Sequence, residues 1–176
     1  MKRLAPAAFV VLFLVSACGY RAVRGTVPGG GDAIHVPIAG NNTAYPGLAG
    51  PLSAAVRKRL GRSGVNVVGS KKGAPRLEIT IIDARGEPGM LTTRDDRLTP
   101  VDTVWHITVE AKITRLGNDE LAPLEQFEAQ GRAYSGGTVL AEETLGHRRR
   151  QALLDNLADA IARFFFELNI STGRDK

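Results

Sequence analysis

Only one cysteine, Cys18, occurs in the 176 residues, so no disulfide can close within the chain and its stability has to come from packing. Histidine is almost as scarce. His35, His106 and His147 fall in different stretches, and none stands at metal-ligand spacing from another histidine, the cysteine or a carboxylate, so neither a metal nor any other cofactor is expected. There is no Gly-x-Ser-x-Gly elbow, phosphate-cradling glycine loop or paired-glycine nucleotide fingerprint between a strand pattern and a helix pattern. No catalytic residue is assigned, and Asp95-Asp96 reads as a turn pair before a cation site. Internal repeats are missing too. The basic residues are mixed with acids and not interleaved with aromatics, which argues against a nucleic-acid partner.

The longest apolar run, Leu4 to Ala17, is too short to span a bilayer as a helix. Preceded by Met1-Lys2-Arg3 and followed by Cys18, it reads as an export signal, residues 1–17. Within Leu14-Val15-Ser16-Ala17-Cys18, an aliphatic residue and two small ones precede the cysteine, the pattern a bacterial lipoprotein peptidase cleaves after diacylglyceryl transfer to the thiol. Cys18 is thus the expected lipidation site. At roughly 0.8 kcal/mol per buried CH₂, two or three acyl chains hold a protein on a membrane effectively for good. Gly19 in place of aspartate after the cysteine points to the outer membrane, on its periplasmic face. Loss of residues 1–17 removes Lys2 and Arg3 and no acid, lowering the formal excess of positive charge from five to three.

Residues 18–32, rich in glycine, read as the lipidated N-terminus and a flexible tether, 33–170 as one domain, and 171–176 as a polar tail. Ala33 to Ala39 alternates, which places Ile34, Val36 and Ile38 on one strand face, with Pro37 confining the strand to an edge. Asn41-Asn42-Thr43 is turn chemistry. Leu52, Ala55, Val56 and Leu60 recur at helical spacing over about 48–62, opposite Arg57, Lys58, Arg59 and Arg62; those four cations suit either anionic headgroups or a solvated face. Val65 to Val68 is short and extended, Arg76 to Ala84 is a strand, and Gly86 to Pro100 reads as a long polar loop. In Val101 to Ile113 the odd positions are mostly apolar and the even ones mostly polar, which predicts one buried and one wet sheet face, with His106 on the wet side. Leu116-Gly117-Asn118-Asp119 signals a turn. A fourth strand runs through Phe127 to Tyr134, and a long helix covers 140–168 with Phe166 away from its apolar stripe, by fraying or for a partner contact.

The expected fold is α+β in two layers: two helices on one face of a roughly four-stranded, mostly antiparallel sheet. Its open face would carry Glu78, Thr80, Thr108, Glu110, Lys112, Glu128, Gln130, Arg132 and Tyr134.

Cys18-Gly19-Tyr20-Arg21, Ile34-His35-Val36-Pro37-Ile38 followed by Asn41-Asn42-Thr43, and Ala141-Glu142-Glu143 leading into Arg149-Arg150-Gln151-Ala152-Leu153 together resemble the LptE-like family of lipopolysaccharide-assembly lipoproteins. The resemblance implies a domain that plugs an outer-membrane β-barrel translocon of the LptD type, helps it assemble and assists delivery of lipopolysaccharide to the outer leaflet. Basic side chains would then meet lipid A phosphates. By expected exposure and charge these are Arg94 and Arg97 in the long loop, and Lys112 and Arg132 on the open face. A lipoprotein that pilots a secretin or activates a cell-wall synthase would share the anchor and the small domain.

Overall fold

The computed structural model describes residues 27–28, 31–69, 73–94, 97–100, 102–115, 120–134 and 139–172. Cys18, the signal segment, Asp95-Asp96 and the turn at 116–119 lie outside the described residues. The chain begins with β1 (Ile34–His35), β2 (Gly40–Asn41), α1 (Ala49–Arg62) and β3 (Val67–Val68). It continues as β4 (Arg76–Pro88), β5 (Leu91–Arg94), β6 (Arg97–Pro100), β7 (Asp102–Thr114), β8 (Glu120–Tyr134) and α2 (Val139–Thr172).

Two helices packed with a sheet give the expected α+β class, but the sheet has six strands and is mixed. The order is β3-β1-β4-β7-β8, with β2 also on β4; β1 pairs parallel to both β3 and β4, and β2 parallel to β4, whereas β4-β7-β8 is an antiparallel meander. The extra strands have two residues each, too few to show a period of two, so alternation alone could not reveal them.

Of the segment read as one strand over 33–39 only Ile34–His35 is strand, and the chain steps off the sheet before β2 begins at Gly40. Ile34 and Val36 are buried, but Ile38 is 69% exposed. Across the step the ladder is replaced by side chains of α1: the Ala39 N–H donates to Ser53 Oγ at 2.8 Å, and Arg57 Nε donates to the Val36 carbonyl at 2.8 Å. Pro37 contributes no donor there, which fits the break. Asn41 Oδ1 then accepts from the Thr43 N–H and Thr43 Oγ1, an Asx turn that leads toward α1.

The helix α1 ends in a Schellman motif. Gly64 adopts φ +83°, its N–H donates to Gly61 O, and the Val65 N–H reaches back to Leu60 O at 3.1 Å, with Val65 and Leu60 both buried.

In β4, Leu77, Ile79 and Ile81 face the core, and strict alternation would then bury Asp83, Arg85 and Glu87. A bulge prevents it. The register passes from Ile81 opposite Val109 to Asp83 opposite Thr108, so Ile82 is the extra residue, and beyond it Ala84 takes the buried side opposite Ile107. The strand runs on to Pro88, and Leu91–Arg94 pairs antiparallel with Arg97–Pro100 as a separate two-stranded sheet, where a long loop was expected. Threonine-rich strands without a large apolar face carry little hydrophobic signal, which is why this hairpin read as loop.

Ile107, Val109, Ala111 and Ile113 of β7 are buried as expected; Leu52, Val56 and Leu60 of α1 and Leu153, Leu154, Leu157, Ile161, Phe164 and Phe165 of α2 join them in one core. Each large side chain taken from water contributes about 1.5–3 kcal/mol, so this shared core carries the domain. The edge strand β8 is longer than expected and carries two register shifts near Pro123, the position where a proline in a strand is tolerated.

Candidate functional site

The sheet's uncovered face is a carpet of paired polar groups from three strands. Glu78 lies opposite Lys112 with Oε2 at 3.4 Å from Nζ, and its other oxygen is 3.2 Å from Arg76 Nε. Arg85 sits between Asp83 and Glu87 at 3.2 and 3.1 Å. Gln126 Nε2 donates to Glu110 Oε1 at 2.9 Å across β7 and β8. Alternation toward water on β4, β7 and β8 puts these groups on one plane, and cross-strand pairing does the rest.

Toward the hairpin end the open face closes over. Asp102 and Val104, both expected on the wet side, are buried, and the His106 side chain is only 17% exposed. Asp102 stands where β5-β6 departs from β4 and β7: its Oδ1 accepts from the Met90 N–H, its own carbonyl accepts from Gly89 N–H, and Gly89 leaves no room for a Cβ against that carboxylate. Oδ2 has no hydrogen-bond partner and lies 4.0 Å from Arg132 Nη1. His106 Nδ1 is likewise unbonded, 3.5 Å from Glu128 Oε1. Sequence alternation missed the burial of Asp102 because the segment that meets it, Gly89-Met90, comes from the far end of β4 and shows no periodic signal.

Of the four basic residues singled out by sequence, only Arg94 and Arg97 are brought side by side; Lys112 and Arg132 each stand beside a carboxylate instead. Lys112 is held by Glu78, and Arg132 stands beside Asp102 with its backbone carbonyl accepting from Arg149 of α2. Arg94 and Arg97 form the closing register pair of the β5-β6 hairpin. Phe166 is half-buried and meets Phe165 edge to face at 5.5 Å. No group of three or more metal-binding side chains occurs among the described residues.

On the covered side, Trp105 is flanked on neighbouring strands by Gly86 and Gly131. The indole fills the space that Gly86 leaves, while Leu153 of α2 fills that over Gly131; Tyr45 stands edge-on to the indole at 5.0 Å and the Arg150 guanidinium 5.3 Å from the ring centre. Sequence reading placed Trp105 on the buried face but gave no role to Arg150, whose partner lies 45 positions away in sequence.

The mixed sheet of six strands backed by two helices, with one wet polar face, defines a small two-layer α+β domain. The family model for lipopolysaccharide assembly, LptE, matches residues 32–166, and the chain belongs to that family. It is a non-enzymatic family of outer-membrane lipoproteins. Among solved structures, a minor lipoprotein from Acinetobacter baumannii is similar at 13% identity and TM-score 0.55, over 78% of this chain and 92% of that one. Rare lipoprotein B from Shewanella oneidensis is similar at 16% identity and TM-score 0.54, over 78% and 98%. At such identities the likeness is one of fold. No curated protein sequence matches the chain. None of the described helices is long and apolar enough to cross a membrane.

Proposed function

We propose that this lipopolysaccharide-assembly lipoprotein is anchored through acylated Cys18 to the periplasmic face of the outer membrane. There it plugs and helps assemble an LptD-type β-barrel and assists delivery of lipopolysaccharide to the outer leaflet. The observation that carries the reading is the family match over residues 32–166, nearly the whole domain. The open face is physically suited to the task. Many of its charges, Glu78 with Lys112 and Arg85 with Asp83 and Glu87, are already paired within the domain, which lowers the cost of facing the polar lumen of a barrel.

Arg94 and Arg97, register partners in the β5-β6 pair, would supply two neighbouring cations for a lipid A phosphate. Lys112 and Arg132 would have to exchange a carboxylate neighbour for the phosphate. The remaining surface of Phe166 suits an aromatic contact with the barrel.

Affinity purification of the lipidated protein from outer membranes in mild detergent tests the reading. A stoichiometric large β-barrel in the eluate is the expected result. A secretin or a cell-wall synthase in its place overturns it. If the barrel is present, alanine at both Arg94 and Arg97 should reduce photocrosslinking to lipopolysaccharide more than alanine at Lys112.

A further inference from the structure

The sheet ends in β8, and among the described residues no strand pairs with its outer edge. Which backbone groups face outward there follows from a hydrogen bond on the far side of β7. The Gly89 N–H donates to the Asp102 carbonyl, so Asp102 turns its backbone toward β4, and with it every second residue of β7. The intervening Trp105, Ile107 and Val109 turn theirs toward β8, where Gly131, Ala129 and Phe127 stand opposite and turn back. Gln126, Glu128, Gln130 and Arg132 are left with N–H and carbonyl directed away from the sheet. Arg149 agrees with this assignment, since it reaches from α2 to donate to the Arg132 carbonyl.

Sheet edges are ordinarily blunted by proline, bulges, lysine or a covering group. Pro123 and two register shifts blunt one end of β8, and Arg149 guards the other. Between them Gln126, Glu128 and Gln130 are exposed. Glu128, Gln130 and Arg132 share the open face, and their order is self-complementary. A second copy laid antiparallel, Gln130 opposite Gln130, sets Glu128 of each copy opposite Arg132 of the other. Both side chains are more than half exposed, at 63% and 59%. Sliding the partner by two residues either way leaves neither charge opposite its complement, and sliding it by four sets Glu128 on Glu128 or Arg132 on Arg132. We infer that β8 is a self-pairing edge: two copies join about Gln130 into one continuous sheet with their open faces side by side, Arg149 giving way as they pair. The inference goes beyond the barrel role and does not depend on it.

The full lipidated protein, free of other outer-membrane proteins in vesicles of phosphatidylethanolamine and phosphatidylglycerol, is treated with the short thiol crosslinker dibromobimane. Gln130→Cys should give a covalent dimer, since facing Cα atoms at the axis lie about 5.5 Å apart. Gln126→Cys should not, its two copies lying roughly 26 Å apart along the paired strands. The parent chain reports any background from Cys18, and circular dichroism checks that each variant is folded. In the Gln130→Cys protein, Glu128→Arg should lower crosslinking roughly tenfold, at about threefold per reversed pair, and adding Arg132→Glu should restore it. Arg149→Ala should raise it. Equal crosslinking at 126 and 130, a Glu128→Arg loss that Arg132→Glu does not restore, or a fall on Arg149→Ala overturns the inference. So does the absence of a dimer at 130, and a Gln130→Cys adduct to a β-barrel in whole outer membranes would then assign the edge to the barrel.

Discussion

The covered face of the sheet and its open face are built from the same three long strands but are held by different physics. On the covered side Leu77, Ile79, Ile81, Ile107, Val109 and Ile113 lock into Leu157, Ile161 and Phe165, and stability scales with area removed from water. On the open side Glu78, Lys112, Asp83, Arg85 and Glu87 pair at half-exposed positions, where solvent screening leaves each pair little net worth. One face therefore decides whether the domain folds, and the other decides what it can lie against.

The contrast is broken most severely from the covered side. Phe165 is fully buried, so Phe165→Ala should cost about 3–5 kcal/mol, read as a lowered denaturation midpoint followed by circular dichroism. Overpacking is the next test. A Cβ on Gly131 would lie 2.9 Å from Leu153 Cδ2, so Gly131→Val should cost about 1–3 kcal/mol, with much of it recovered by adding Leu153→Ala. Gln130→Val, one residue along on the open face, should stay within about 0.5 kcal/mol. Equal losses at 130 and 131 would mean that the two faces are not distinct.

Most of this contrast was legible in the sequence where a period persists. Ile107 to Ile113 gave the buried face of β7, Glu110 and Lys112 its wet face, and the 3.6-residue spacing of Leu153, Leu157 and Ile161 the long helix. The legible parts stop where the period is interrupted. The doublet Ile81-Ile82 marks the bulge that turns Asp83, Arg85 and Glu87 outward, but a doublet alone does not reveal which isoleucine is extra. Ile38 continued the alternation of Ile34 and Val36 yet is exposed, because Pro37 and the hydrogen bonds from α1 break the strand before it. Of the site residues, the sequence supplied charge and approximate exposure but no partners. The pairing of Lys112 with Glu78 depends on a register between strands 34 residues apart, and that of Arg132 with Asp102 on a diagonal across β7 and β8.

At the hairpin end the two faces converge, since Asp102 is a charge on the open side with the burial of a core residue. Asp102→Ala would strip the Met90 N–H of its acceptor and remove the carboxylate beside Arg132. A loss of about 1–3 kcal/mol is expected, with faster amide exchange at Met90 and across β5-β6. A neutral result would mean that the hairpin's position is set from within itself.

The smallest effect separates structural from functional cations on the open face. Lys112→Ala should cost only about 0.2–1 kcal/mol at low salt and less at high salt, because both it and Glu78 are partly exposed. A double-mutant cycle with Glu78→Ala isolates the pair. If Lys112 serves chiefly to neutralise Glu78, the double variant should be nearly as stable as the parent. Lipopolysaccharide crosslinking should then fall in the Lys112→Ala protein, where Glu78 is left to repel a phosphate, and return when Glu78 is also removed. Were Lys112 itself the phosphate ligand, removing Glu78 as well would restore nothing. That outcome would move the open face from a neutralised wall to a binding surface.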